Sequence, residues 1–189
     1  MPNWCSNTMT IRHNDLGQVM SAMYAWNSGE FLKTLLPIPP DLDIKAGWFG
    51  DTPEQRELEK KEQANLAKYG FKNWYDWCIA EWGTKWDVGF TEDQANKAVL
   101  KDKGFTVWFD SAWSPPTKAY DKLTEMGFLI DAFYYEGGMG FCGHYLEGTD
   151  SHYDIKDFSA KWVKENIPAY IDEEMWISSQ LEDNESLED

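Results

Sequence analysis

The side chains of this 189-residue chain that could carry out chemistry do not fall into a catalytic or metal-binding pattern. The nearest approach to a metal-ligand pair is Cys142-Gly143-His144, whose cysteine and histidine would share one face of a strand. A zinc site needs further ligands, and Cys5 could join this pair only if the first strand lay beside it. Free cysteines usually behave as small buried hydrophobes, so we interpret Cys5, Cys78 and Cys142 as reduced, buried thiols. We therefore predict that the protein binds no metal and no cofactor.

Two other arrangements resemble catalytic motifs and have simpler explanations. The run Gly137-Gly138-Met139-Gly140 lacks the lysine and hydroxyl of a phosphate-binding loop and does not open a helix, so it is typical of a hairpin turn. Ser114 and His144 could be imagined as nucleophile and base, but a serine before two prolines is explained as a helix cap. No pair of carboxylates has a spacing that requires acid–base catalysis. We predict no catalytic residues and no enzymatic activity.

Tryptophan is the most unusual component of the chain, which contains 11 of them. Such rings can fill a core, or they can form a slot that stacks a base or a small planar ligand, and the sequence leaves both interpretations open. Where Trp86 precedes Asp87, and where Trp113 precedes Ser114, an aromatic face stands beside a polar group. If a ligand pocket exists, we expect it to be lined by Trp86, Asp87, Trp113, Tyr135 and Glu136.

The net charge of −16 is unevenly distributed, because about half of the acidic excess lies in residues 172–189. That segment contains no lysine or arginine, and it is typical of a solubilising tail. It could instead attract a partner with a basic surface, through Asp172, Glu173, Glu174, Glu182 and Asp183. Direct nucleic-acid binding is disfavoured, since the sequence shows no local basic patch. The oligomeric state cannot be predicted.

Hydropathy indicates a protein of the cytoplasm. No run of about 18 apolar residues is present, which argues against a transmembrane helix and a membrane partner. The first residues lack a basic region followed by an apolar one, so we expect no secretory signal.

The predicted elements alternate in an order typical of a ferredoxin-like fold. Strands are predicted at residues 5–11, 105–113, 128–136 and 141–147, with helices near residues 16–23, 53–69, 114–127 and 158–163. This order predicts an α+β ferredoxin-like antiparallel sheet with helices packed on one face. We expect a single domain over residues 1–171, a helical insertion at about residues 40–83, and an acidic C-terminal tail over residues 172–189 that is frayed from residue 178.

Four motifs support this fold class by resemblance. They are Met1-Pro2-Asn3-Trp4-Cys5-Ser6-Asn7, Gly83-Thr84-Lys85-Trp86-Asp87, Ser111-Ala112-Trp113-Ser114-Pro115-Pro116, and Tyr135-Glu136-Gly137 running to Phe141-Cys142-Gly143. In this order they resemble the YubB-type ferredoxin-like family of conjugative plasmids and bacteriophages. The resemblance implies the fold and an origin in a phage or mobile element, and it supplies no catalytic residues.

These observations lead to two hypotheses of function. The first is a non-enzymatic accessory protein of a phage or mobile element that binds a host bacterial protein through an acidic, aromatic-rich surface, as counter-defence or as a mimic of nucleic-acid charge. The alternative is a binding protein for a small nucleotide-like ligand, held in a pocket lined by tryptophans.

Overall fold

A five-stranded antiparallel sheet organises the chain, whose computed structural model describes residues 3–188, with side chains to residue 184. The strands are β1 (Trp4–Arg12), β2 (Gly104–Ala112), β3 (Leu129–Glu136), β4 (Phe141–Leu146) and β5 (Thr149–Asp154). They lie in the order β2-β1-β3-β4-β5, with every neighbouring pair antiparallel. The helices are α1 (Leu16–Asn27), α2 (Phe31–Leu35), α3 (Pro53–Tyr69), α4 (Trp74–Glu81), α5 (Thr117–Glu125), α6 (Ala160–Asn166), α7 (Ala169–Met175) and α8 (Ile177–Glu188). The predicted ferredoxin-like α+β class is confirmed.

The main core lies on one face of the sheet. Alternate residues of β1, among them Met9 and Ile11, point to this face together with Phe105 and Phe109 of β2. Helices α1, α2, α4 and α5 supply the other side of the core, with the fully buried Trp26 at its centre. The Trp26 indole N–H donates to the carbonyl of Asn96 at 2.8 Å, which satisfies its polar group.

Helices also cover part of the opposite face, which differs from the expectation of helices on one face. Helices α6, α7 and α8 pack over β3 and β4, where Phe133, Tyr135 and Cys142 face away from the main core. Since β3 and β4 are apolar on both faces, one layer of helices cannot bury them. A second hydrophobic core forms there, and it includes Ile171 and Ile177.

The acidic segment after residue 171 is folded where the charge pattern predicts a tail. Its described backbone forms the end of α7 and the whole of α8, and Met175 and Ile177 are buried. Asp172 is buried too, and it accepts hydrogen bonds from the backbone N–H and the hydroxyl of Ser178, both at 2.7 Å. The frequent carboxylates obscured these few apolar positions. Residue 189 and the side chains of residues 185–188 lie outside the described part.

The segment at about residues 40–83 contains α3 and α4. The Thr52 hydroxyl accepts a hydrogen bond from the N–H of Gln55 at 3.1 Å, and Gly70 ends α3 with a φ of 79°. Helix α3 is largely exposed, whereas α4 contributes Trp77 and Cys78 to the main core. Of the predicted insertion, α3 therefore lies on the surface, whereas α4 is an integral part of the main core.

Within residues 3–188, no helix has both the length and the apolar character needed to cross a bilayer.

Candidate functional site

An open groove of about 850 Å³ lies on the sheet face that α6–α8 cover only in part. We call it the sheet groove. Its floor comes from β1, β2 and β3, and its wall comes from the end of α7 and from α8. The lining residues are Trp4, Ser6, Trp108, Tyr135, Gly137, Phe158, Glu174, Met175, Trp176, Gln180, Leu181 and Asn184. Five of these twelve residues are aromatic, so the groove can bind apolar and planar groups.

The register of the strands puts Trp108 on the floor of the sheet groove. Trp108 pairs with Thr8 across β1 and β2, while its neighbour Phe109 points to the main core. The Trp108 side chain remains 53% exposed, in contrast to 4% for Phe109. Beside it, the Ser6 hydroxyl donates to a carboxylate oxygen of Asp110 at 2.9 Å. A strand that is buried on one side thus presents an indole to solvent on the other.

Trp176 projects from the wall, at the junction of α7 and α8. Its backbone has a φ of 55°, the left-handed conformation that glycine usually supplies at the end of a helix. The Trp176 N–H donates to the carbonyl of Asp172 and so closes the last turn of α7. Its side chain is 67% exposed, and such backbone geometry costs a bulky residue about 1–2 kcal/mol. The fold gains little from an indole at this position.

The electrostatic character of the sheet groove is weakly acidic. Among its lining residues, within the described part of the chain, Glu174 is the one charged group, and Asp110 lies beside the floor. An apolar groove with one carboxylate suits a ligand that combines apolar groups with a single cation.

Two of the predicted pocket residues come together elsewhere, around Lys85. The Lys85 ammonium lies 4.7 Å from the ring centre of Trp86 and 5.3 Å from that of Trp113. It is also 5.5 Å from the ring of Tyr75, while Trp86 packs against Trp4 at 5.8 Å. These distances are typical of cation–π contacts, so the Lys85 ammonium already occupies a position against both rings.

Asp87, the third predicted pocket residue, caps a helix. Its carboxylate accepts hydrogen bonds from the backbone N–H groups of Leu32 at 2.7 Å, Lys33 at 3.1 Å and Val88 at 2.8 Å. Burial raises the pKa of Asp87, and the three N–H donors oppose that rise. This carboxylate fixes the start of α2.

Glu136 and Tyr135 are separated by the sheet, because consecutive residues of a strand face opposite sides. Glu136 is buried and accepts from the N–H groups of Gly138 at 2.9 Å and Met139 at 2.6 Å, which stabilises the β3–β4 turn. Tyr135 lines the sheet groove. The structure therefore does not bring the five predicted pocket residues to one site.

The five acidic residues proposed for partner binding also have different environments. Asp172 is buried against Ser178, and Glu182 accepts a hydrogen bond from Lys164 at 2.5 Å. Glu174 lines the sheet groove. Glu173 and Asp183 are exposed.

In the part of the chain that the structure describes, the three cysteines are buried and His144 packs against neighbouring side chains. All three thiols are buried, and burial raises the pKa of Cys78 and of Cys142 to about 12. His144 stacks on Phe133 with ring centres 4.0 Å apart, and its Nε2 lies 2.8 Å from a carboxylate oxygen of Asp131. Among the described residues, no three His, Cys, Asp or Glu side chains converge as metal ligands.

The sequence analysis did not predict that Trp4, Trp108 and Trp176 line one common surface. Alternation in β2 does indicate that Trp108 faces away from Phe109, so this signal was available. Trp176 gives no such signal, because its exposure depends on where α7 ends and α8 begins.

Comparison with known proteins identifies the family to which this domain is similar. The family model described as the ferredoxin-like domain in Api92-like protein matches residues 81–185. The chain belongs to this family. The match extends through α7 and into α8, so the acidic helices are part of the domain that defines the family.

A solved structure is also similar, namely the crystal structure of a protein api92 from Yersinia pseudotuberculosis. It is 12% identical and has a TM-score of 0.40, with 84% of this chain and 100% of that chain covered. None of the curated proteins is significantly similar to this chain.

Proposed function

We propose that this protein is a non-enzymatic binding protein that takes a short apolar segment of a partner protein, with at least one lysine or arginine, into the sheet groove. The observation that supports this most directly is Trp176. It occupies a backbone position suited to glycine and leaves two thirds of its side chain in solvent. A residue that costs stability and contributes little packing is best explained by a contact with a ligand.

The shape and chemistry of the sheet groove favour a peptide segment. A volume of about 850 Å³ lies within the range of ligand sites, and the groove is open along the sheet. Tryptophan and tyrosine are the residues that most often dominate peptide and protein recognition. Glu174 supplies the charge complement for a basic side chain on the bound segment.

As an accessory protein of a phage or mobile element, which the resemblance to the YubB-type family implies, the chain would act on a host protein in the bacterial cytoplasm. The sheet groove supports this role better than mimicry of nucleic-acid charge does. Mimicry needs rows of available carboxylates, whereas Asp172 is buried and Glu182 is paired with Lys164.

The nucleotide-like ligand has less support at the site predicted for it. The Lys85 ammonium already lies over both Trp86 and Trp113. The carboxylate oxygens of Asp87 and Glu136 accept hydrogen bonds from backbone N–H groups, so they are not available to bind the polar groups of a ligand.

A selection from a library of random short peptides tests the proposal. The full chain is the bait, and affinities of the selected peptides are measured by calorimetry. We expect the selected peptides to share an aromatic or large aliphatic residue and a lysine or arginine. Trp108→Ala should weaken binding about tenfold or more, which corresponds to about 1.4 kcal/mol.

Trp48→Ala is the matched control, because Trp48 is 70% exposed and does not line the sheet groove. It should leave the affinity unchanged. Selected peptides that bind the Trp108→Ala variant as tightly as the wild-type chain would contradict the proposed site.

A further inference from the structure

A pocket of about 450 Å³ lies at the far end of β1 and β2 from Trp4. Its lining residues are Thr10, Arg12, Lys97, Val99, Lys101, Asp102, Phe105 and Thr106. Three of them are cations and one is a carboxylate. The sequence shows no basic patch because Arg12 is distant in sequence from Lys97 and Lys101. The pairing of Arg12 with Gly104 across β1 and β2 brings them together.

The backbone on both sides of Lys97 is held firmly. The N–H of Ala98 donates to the side-chain oxygen of Asn27 at 2.8 Å. On the other side, the side-chain amide of the buried Asn96 donates to the carbonyl of Trp108 at 2.7 Å. Lys97 is therefore presented from a fixed position rather than from a loose loop.

Lys101 is fixed by a tight turn. Lys101 and Gly104 exchange two backbone hydrogen bonds, at 2.8 Å and 2.9 Å. The two residues between them, Asp102 and Lys103, have positive φ values of 49° and 59°, as a type I′ turn requires. The N–H of His13 donates to the carbonyl of Lys103 at 3.2 Å, which anchors the turn beside the end of β1.

The three cations of this pocket outnumber its one carboxylate, Asp102. In the part of the chain that the structure describes, Arg12, Lys97 and Lys101 form no ion pair, whereas Lys68 and Lys164 each contact a carboxylate. The hydroxyls of Thr10 and Thr106 share one hydrogen bond of 2.8 Å. Since each hydroxyl has one proton and only one of them is used, one O–H remains able to donate to a ligand.

We infer that this pocket binds the phosphate group of a compact phosphorylated ligand. Three cations and a hydroxyl donor match a phosphate, which carries up to two negative charges and several acceptor oxygens. A polynucleotide fits less well. Along the same open face, towards the sheet groove, it would meet Asp110 and Glu174, and the net charge of −16 repels a polyanion.

The test is a titration of the full, isotope-labelled chain with inorganic phosphate and then with a phosphate monoester such as a mononucleotide. Saturable shifts are expected at the backbone amides of Thr10, Arg12, Lys101 and Thr106. The Lys97→Ala/Lys101→Ala variant should bind at least tenfold more weakly. The matched control is Lys60→Ala/Lys61→Ala on the exposed helix α3, which removes the same charge and should retain the affinity within about twofold.

Several results would overturn this inference. Unsaturable shifts, or an equal loss in the control variant, would show that general charge attraction explains the effect. Tighter binding of a single-stranded oligonucleotide or of an acidic peptide than of the monoester would contradict the assignment to a compact phosphate. The site is independent of the sheet groove, so Lys97→Ala/Lys101→Ala should not change the affinity for a peptide selected by the groove.

Discussion

The two faces of the sheet are covered to different extents, and β2 shows the contrast within two residues. Phe109 is enclosed by the main core, and its neighbour Trp108 stands half exposed on the open face. Helices α6–α8 cover β3 and β4 on that face and leave much of β1 and β2 open. The second hydrophobic core, formed by α6–α8, shows that helices can bury aromatic side chains on this same face of the sheet. Trp108 and Trp176 nevertheless remain largely in solvent, and we therefore propose that they serve binding rather than stability.

Truncation of Phe109 and of Trp108 compares the two faces most strongly. Phe109→Ala should lower the free energy of unfolding by about 3–5 kcal/mol, because it leaves a cavity in the main core. Trp108→Ala should lower it by only about 1–2 kcal/mol, since half of the Trp108 side chain is already in solvent. Urea denaturation measures both. Equal losses would show that the two faces do not differ in the way described.

The second core should contribute a smaller but clear share of stability. Ile171 is fully buried in α7, so Ile171→Ala should cost about 2–4 kcal/mol in the same denaturation experiment. Its exposed neighbour Glu173 is the control, and Glu173→Ala should cost less than about 0.5 kcal/mol. If Ile171→Ala also had almost no effect, the second core would contribute little to the stability of the domain.

Raising the pH should lower the free energy of unfolding, because each core contains at least one buried thiol that resists ionisation. Burial raises the pKa of Cys142, in the second core, to about 12. The folded state thus keeps a proton that the unfolded chain loses above its ordinary thiol pKa, so the stabilisation is complete below that pKa and is lost as the pH rises. The free energy of unfolding should fall by about 1.4 kcal/mol per pH unit for each buried thiol above about pH 9.

Cys142→Ala isolates this contribution, because the tyrosines and the other thiols are unchanged. Denaturation at two alkaline pH values should show a smaller decrease for the variant than for the wild-type chain. Identical decreases would mean that the Cys142 thiol ionises equally easily in both states.

The fold was easier to predict than the site, for identifiable reasons. The helix predicted near residues 53–69 is confirmed as α3, because its cap at Thr52 and its end at Gly70 depend on neighbouring residues. The role of Asp87 depends on the N–H groups of α2, which lie more than fifty positions earlier in the sequence. A carboxylate beside a tryptophan gives no indication of which distant donors it will meet.

Helices α7 and α8 were missed for a different reason. Apolar residues at positions 171, 175 and 177 are spaced for burial, but the surrounding carboxylates dominate the composition. The basic pocket was missed because strand pairing, not sequence proximity, brings Arg12 to Lys97 and Lys101.

Ionic strength should separate the sheet groove from the basic pocket. Peptide binding in the groove depends mainly on apolar contact and one carboxylate, so its affinity should change less than about threefold between about 0.1 and 0.5 M salt. Phosphate binding should weaken by a larger factor over the same range. Parallel titrations of the two ligands measure this difference, and equal salt dependence would contradict the assignment of two distinct kinds of site.

Trp176→Gly tests the central claim most directly, with Trp113→Gly as its control. Both tryptophans have a positive φ, so glycine relieves backbone strain at either position, but only Trp176 lines the sheet groove. We predict that Trp176→Gly keeps the free energy of unfolding or raises it by up to about 1 kcal/mol, while the affinity for a groove-selected peptide falls about tenfold or more. Trp113→Gly should leave that affinity unchanged. A Trp176→Gly chain that is clearly destabilised and still binds the peptide with full affinity would contradict the account.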